Sequence, residues 1–188
     1  KPACRRTRID EKPVAICRLK RVASDLRDDI TERLPKAPAE KNGKRIACIG
    51  AGPASLTVAN DLAPLGYEIV MFEKFERAGG LMRTNIPAFR LPPKVLDEEV
   101  DMILNMGVDI RYNTPVTSLK ALLAEGYDAV FVGTGAPKGK NLEIPGRYDS
   151  DKIHVGIEWL ESVAFGHIES IEERVLIIGS GEGVASQM

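Results

Sequence analysis

A chain of 188 residues, 28% charged and 44% hydrophobic, is long enough for one or two cored domains, and its net charge of −1 gives no general pull toward nucleic acid. No apolar run reaches the roughly 18 residues of a membrane-spanning helix. Nothing at the start reads as a signal peptide, and the three cysteines, Cys4, Cys17 and Cys48, make no disulfide framework, so the cytoplasm is the expected compartment.

The charge is unevenly spread. Residues 1–44 hold 13 Lys/Arg against 7 Asp/Glu, a net of +6, whereas the remainder holds 13 against 20, a net of −7. The basic head reads either as a solvated face or as an interaction surface. Lys1 is not an initiator methionine, and Met188 falls in the first turns of an expected helix, so the chain reads as a piece of a longer protein.

Residues 1–12 are polar and irregular in pattern. Pro13 opens an expected helix to about residue 34, with Leu19, Val22, Ala23, Leu26 and Ile30 on one face and Arg18, Lys20 and Arg21 on the other. A Pro-, Ala- and Lys-rich linker over 35–44 is the best domain boundary. The expected division is 1–34, a linker at 35–44, a Rossmann-type unit at 45–150, and the start of a second such unit at 151–188.

The organising stretch follows. An apolar strand over 45–49 runs into Gly50, Gly52 and Ser55, which fill the three positions of a G-x-G-x-x-G/A-like turn. A helix is expected over 55–65, Gly66 stands at its stop, and a second strand over 67–72 ends at Glu73. Gly50 allows the tight turn, Gly52 lets backbone approach a pyrophosphate, and a small residue at 55 lets helix and strand pack closely. The free N–H groups and dipole of the helix start hold phosphate charge. Glu73, 23 residues after Gly50, is placed to accept hydrogen bonds from a ribose. A strand before, a helix after and an acid at this distance predict a dinucleotide site.

Residues 75–93 read as a long loop with a Gly79-Gly80 pair, a length that points to function. Further elements are expected as a helix over 94–106 stopped by Gly107, a strand over 108–112, a helix over 118–125, a strand over 127–132 entering Gly133-Thr134-Gly135, and a helix over 155–165. Residues 174–178 form another apolar run, expected as a strand. It enters Gly179-Ser180-Gly181-Glu182-Gly183, a second glycine turn about 130 residues after the first. His154 and His167 lack metal-ligand spacing, Cys17 and Cys48 read as small apolar fillers, and no Ser/His/Asp or Cys/His constellation is visible.

The segments ACRRTRIDEKPVAI, CIGAGPASL, MFEKFERAGGLMRTNIPAFRLP, DAVFVGTGA, LEIPG and IIGSGEG together resemble the glutamate synthase small subunit group of flavin-dependent NAD(P)H oxidoreductases. Related modules occur in dihydropyrimidine dehydrogenase and electron-bifurcating transhydrogenases. The resemblance implies an α/β protein: a Rossmann-type FAD-binding domain, a helical remnant of an iron–sulfur domain before it, and the start of a second, NAD(P)-binding Rossmann domain after it. Gly50, Ala51, Gly52, Pro53 and Ala54 would bind the FAD pyrophosphate, and Glu73 and Lys74 the ribose end. Gly80, Leu81, Arg83, Ile86 and Arg90 would line the flavin, Val116 would lie near the adenine, and Gly133, Thr134 and Gly135 would close over the cofactor.

At the second turn, Gly179, Gly181 and Glu182 would meet NADP or NAD. Cys4 matches the second cysteine of a Cys-x3-Cys pair that ligates a 4Fe-4S cluster in this family, the first lying before Lys1. No side chain is implied as a catalytic acid or base, because the redox chemistry belongs to the cofactor. The implied activity is hydride transfer from NAD(P)H to FAD, with electrons passed to iron–sulfur clusters of the same protein or of a larger partner subunit. Two departures stand out. Ser55 replaces the usual Gly or Ala. Glu182-Gly183-Val184 replaces a more usual Asn-Thr-Ala, placing an acid at the phosphates and leaving open a non-catalytic electron-transfer or docking subunit. A flavin monooxygenase shares the first turn but not the stretch over 76–92.

Overall fold

The computed structural model describes residues 3–179. The chain divides into two units, residues 1–34 and 35–188. In the first, α1 (Thr7–Asp10) and α2 (Ile16–Asp25) precede a 3-10 turn at Thr31–Arg33. The single helix expected from 13 to 34 is therefore shorter at both ends. At the start, the Val14 N–H donates to Cys4 Sγ instead of entering a helix. At the end, the Asp29 carboxylate accepts from both the backbone N–H and the hydroxyl of Thr31, offering the backbone an alternative to another helical turn. The apolar residues Leu19, Val22 and Leu26 remain exposed.

The second unit is a four-stranded parallel sheet of order β3-β2-β1-β4, with β1 Arg45–Ile49, β2 Glu68–Phe72, β3 Asp109–Arg111 and β4 Ala129–Val132. Alternate residues serve opposite faces. Ile46, Cys48, Ile69 and Met71 pack with Leu56 and Ala59 of α3 (Pro53–Leu62) and with Leu96 and Val100 of α5 (Pro93–Leu104). Ala47, Ile49, Val70 and Phe72 pack with Leu122 of α6 (Leu119–Ala124) and with Tyr127. Helices thus cover both faces, which is why β1 and β2 read as continuous apolar runs. This is a mixed α/β, Rossmann-type fold. Two short helices complete it, α4 (Leu81–Thr84) and α7 (Gly156–Ala164). Among the described residues no helix is long and apolar enough to cross a membrane.

Most expected elements are present with small shifts. The helix expected over 55–65 starts at Pro53 and tightens into a 3-10 turn at Ala63–Leu65. Pro64 explains the change, since it has no N–H to give to the preceding turn. Gly66 then closes the element at φ +85. The expected strand over 174–178 is absent: those residues form no ladder, and Val175, Leu176 and Ile178 are exposed. A strand needs a neighbour to satisfy its backbone groups, and no described strand pairs with this run.

Candidate functional site

The chain runs from β1 to β2 to β3 on one side and then crosses back so that β4 pairs with the other side of β1. The carboxyl ends of β1 and β4 therefore flank a topological switch point, where open α/β sheets take their ligands. Gly50 and Gly133 leave these two ends. The Gly50 N–H donates to Phe72 O (2.8 Å) and the Gly133 N–H to Ile49 O (2.9 Å). Gly50 is held at φ +86, and an added Cβ would lie 2.7 Å from the Gly133 carbonyl oxygen. Any side chain at 50 would be strained and would push the two strand ends apart.

Gly52 is a different case. It is the N-cap of α3, at φ −80 and ψ −179, a conformation open to any residue. An added Cβ would meet nothing nearer than Gly80 Cα at 3.8 Å. Packing within the chain does not require glycine here. No side chain caps α3, and Pro53 at its first position has no N–H. The remaining amide donors of that first turn point out of the helix end without intrahelical acceptors, the arrangement that receives a phosphate.

Ser55 fills the third small-residue position, fully buried. A Cβ on Gly133 would collide with its hydroxyl oxygen, so helix and strand approach to the limit that the glycine permits. That hydroxyl is buried without a hydrogen-bond partner. An unmade hydrogen bond of this kind costs about 1–3 kcal/mol. Ser55→Ala is accordingly expected to stabilise the protein by about 1 kcal/mol in urea unfolding; a destabilised variant would show that the hydroxyl has a partner.

Glu73, at the end of β2, is 4% exposed. Its Oε2 accepts from the Ala51 N–H at 2.7 Å and its Oε1 from the Phe75 N–H at 3.0 Å. Each carboxylate oxygen keeps further acceptor capacity for a hydroxyl. The acid is thus fastened at the mouth of the glycine turn, with Lys74 Nζ lying 4.1 Å from the centroid of the Phe75 ring beside it. Phe75 stacks in turn on Phe165, centroids 5.0 Å apart, at the end of α7.

The Gly79-Gly80 pair docks on the first turn. The Gly79 N–H donates to Ala51 O at 2.9 Å, and at Gly80 (φ +53) an added Cβ would lie 2.8 Å from Gly52 Cα. Gly80 caps α4, part of the stretch expected as loop. Leu81, Ile86 and Arg90 are exposed on α4 and the segment after it. Arg83 is nearly buried and turned into the protein: its Nε donates to Ala78 O at 2.6 Å and its Nη2 to Asp97 of α5. Sequence reading missed Asp97, since nothing in the local pattern pairs it with a residue fourteen positions earlier. Val116 is half-buried against the apolar cluster on the α6 side of the sheet, which includes Phe72, Leu122 and Tyr127. Thr134 is exposed, and Gly135, at φ +65, has open space where a Cβ would stand.

Gly50, Ala51, Gly52, Pro53, Ala54, Glu73, Gly80 and Gly133 therefore gather at one switch point. These residues fit the FAD expected there: a glycine that the chain's own packing does not require, free helix-end donors, and a fixed acid with spare acceptor capacity. At the second turn Gly179 is described, at φ +120, whereas Gly181 and Glu182 lie outside the described residues.

In the first unit, Cys4 Sγ accepts the Val14 N–H, and backbone hydrogen bonds from Val14 and Arg6 hold its thiol below the usual range. That surrounding suits a thiolate, yet among the described residues no group of three or more His, Cys, Asp or Glu side chains could hold a metal. Cys48, buried in β1, has its pKa pushed up to about 11 by desolvation, so it is a neutral thiol near the turn. All three cysteines are free.

Comparison with known proteins agrees with this geometry. The family model described as pyridine nucleotide-disulphide oxidoreductase matches residues 44–182. The NAD-dependent dihydropyrimidine dehydrogenase subunit PreT homolog of Salmonella typhi is 38% identical over 184 residues, 95% of this chain and 43% of that protein. The glutamate synthase (NADPH) small chain of Bacillus subtilis is 32% identical over 153 residues, 80% of this chain and 31% of that protein. The chain thus spans less than half of either relative. Among solved structures, Mycobacterium tuberculosis FprA in complex with NADPH shares the fold, with a TM-score of 0.57 at 22% identity over 63% of this chain and 28% of its own. With the glycine turn, its acid and the parallel sheet in place, the chain belongs to the pyridine nucleotide-disulphide oxidoreductase family.

Proposed function

We propose that this chain is part of a flavin-dependent oxidoreductase that binds FAD at the Gly50 turn and takes reducing equivalents from NADPH or NADH. The observation that carries the reading is Gly52, whose backbone conformation and surroundings leave a glycine unexplained unless a ligand lies against it. Bound FAD would supply the redox chemistry, accepting a hydride from the pyridine nucleotide and releasing electrons singly.

The chain's own residues bind and orient. The α3 N-terminus, with Gly50, Ala51, Gly52, Pro53 and Ala54, would hold the pyrophosphate. Glu73, with Lys74 beside it, would accept the ribose hydroxyls. Gly80, Leu81, Ile86 and Arg90 would border the flavin, Val116 the adenine end, and Gly133, Thr134 and Gly135 the open side of the crevice. Gly179, Gly181 and Glu182 would meet the pyridine nucleotide. No residue here need move a proton.

The sequence has no cysteine pair after Gly79-Gly80, so the reading carries no redox disulfide, and the compartment it proposes is the cytoplasm. Cys4 would be one ligand of a 4Fe-4S cluster completed by residues outside this chain, and a larger partner subunit or further domains would take the electrons. The described residues do not complete that metal site, so no step is assigned through it. Relatives named as subunits, such as the NADPH-Fe(3+) oxidoreductase subunit beta of Geobacter sulfurreducens, 34% identical over 184 residues, support the partner. Anaerobic addition of NADPH, then NADH, to the full-length protein tests the reading. Bleaching of the flavin band by either is expected. A flavin band that neither reagent bleaches would favour the docking subunit that Glu182 leaves open.

A further inference from the structure

We propose that Arg83 and Asp97 form a positioning latch that holds the Gly79-Gly80 turn over the dinucleotide-binding turn, so that FAD affinity depends on an ion pair outside the cofactor's own contacts. The proposal rests on FAD binding at the Gly50 turn.

The Arg83 side chain is 11% exposed, and one edge of its guanidinium, Nε with Nη2, is hydrogen-bonded within the protein. Nε donates to the Ala78 carbonyl at 2.6 Å while Nη2 donates to Asp97 Oδ1. A planar fork with both donors on one edge can satisfy a carbonyl and a carboxylate together, which an ammonium on a flexible stem cannot do. Ala78 is itself buried, and the next residue continues the connection: the Gly79 N–H donates to Ala51 O at 2.9 Å. The Ala51 N–H donates in turn to Glu73 Oε2 at 2.7 Å. One run of hydrogen bonds therefore links Asp97 on α5, Arg83 on α4, the Gly79-Gly80 turn, the glycine turn and the ribose-facing acid.

Packing leaves the turn one seat. A Cβ on Gly79 would lie 3.0 Å from Leu96 Cδ2 and 3.3 Å from Arg83 Cβ, and one on Gly80 would lie 2.8 Å from Gly52 Cα. If the guanidinium lets go of Ala78, the element pressed against Gly52 loses its support from the α5 side. Arg83 is thus a positioning residue, where the family resemblance alone implied a flavin contact.

The test uses the full-length protein stripped of flavin and titrated with FAD. Arg83→Lys and Arg83→Met are both expected to weaken FAD binding by about tenfold or more, since each loses the paired hydrogen bonds of the charged fork. Asp97→Asn, which keeps an acceptor but not the charge, is expected to cost about threefold. Asp97→Glu is expected to restore affinity close to wild type, a rescue that a role in simple packing would not produce. In the Arg83→Met background, Asp97→Asn should add nothing further, because both act through one contact. Asp97 is half-exposed, so its variants keep the measurement valid if an Arg83 variant folds poorly. Wild-type affinity in both Arg83→Lys and Asp97→Asn would overturn the latch. Failure of the wild-type protein to take up FAD would overturn the FAD reading and the latch with it.

Discussion

Gly52→Ser is expected to abolish FAD retention while leaving the apo-protein as stable as wild type or slightly more so. The two effects separate because the residue's two environments differ. Toward the protein, a Cβ at 52 finds its nearest neighbour at 3.8 Å, and the backbone at φ −80 accepts any L-residue. Serine is also a better N-cap than glycine by a few tenths of a kcal/mol, since its hydroxyl accepts from the first helical turn. Toward the ligand, that same hydroxyl takes the donors and the space meant for the pyrophosphate. The loss of affinity is expected to reach about a hundredfold, or about 2.7 kcal/mol. FAD titration and urea unfolding of the apo-protein read the two halves separately. Wild-type affinity in Gly52→Ser would remove the ligand from this turn.

Glu73→Gln is expected to act on stability and on flavin together. The carboxylate accepts from two backbone donors, Ala51 N–H through one oxygen and Phe75 N–H through the other. A glutamine must turn its NH2 toward one of them, setting donor against donor at a site only 4% exposed. Hydrogen bonds to a buried charged group are worth about 1.5–3 kcal/mol each, so a cost of about 2 kcal/mol is expected in urea unfolding. FAD affinity should fall as well, because the amide also loses acceptor capacity for the ribose hydroxyls. Glu73→Asp would retain the charge but shorten the reach, and is expected to lose FAD affinity too. Glu73→Gln with unchanged stability would show that the acid is not fastened as described.

What was legible in the sequence is what depends on local pattern. The β1 run, Gly50, Gly52, Ser55, Gly66 and Glu73 declare a strand–turn–helix–strand–acid unit by period and spacing, whereas the pairing of β4 with β1 that makes the switch point is seen only in the structure. The resemblance seen in the glycine turn and the ERAGGLMRTNIPAFRLP stretch agrees with the match to residues 44–182 and with relatives that include a glutamate synthase small chain.

What was not legible depends on contacts distant in sequence or on competing local bonds. Periodicity carried the first helix to residue 34, but it ends at Asp25, and the Asp29 bonds to Thr31 that follow come from side-chain chemistry that periodicity does not see. The apolar run over 174–178 has strand composition but no pairing partner among the described strands. The inward turn of Arg83 toward Ala78 and Asp97 is invisible in a motif where every polar residue beside a glycine pair suggests a ligand.

Whether the Gly50 turn seats FAD is tested most directly by the flavin content of the purified full-length protein. The flavin would be released by denaturation, identified by chromatography and counted per chain. The proposed reading predicts one FAD, not FMN, for each chain, because the Gly50 turn and Glu73 would receive the pyrophosphate and ribose of a dinucleotide. Purified protein without flavin that also fails to take up added FAD would contradict it.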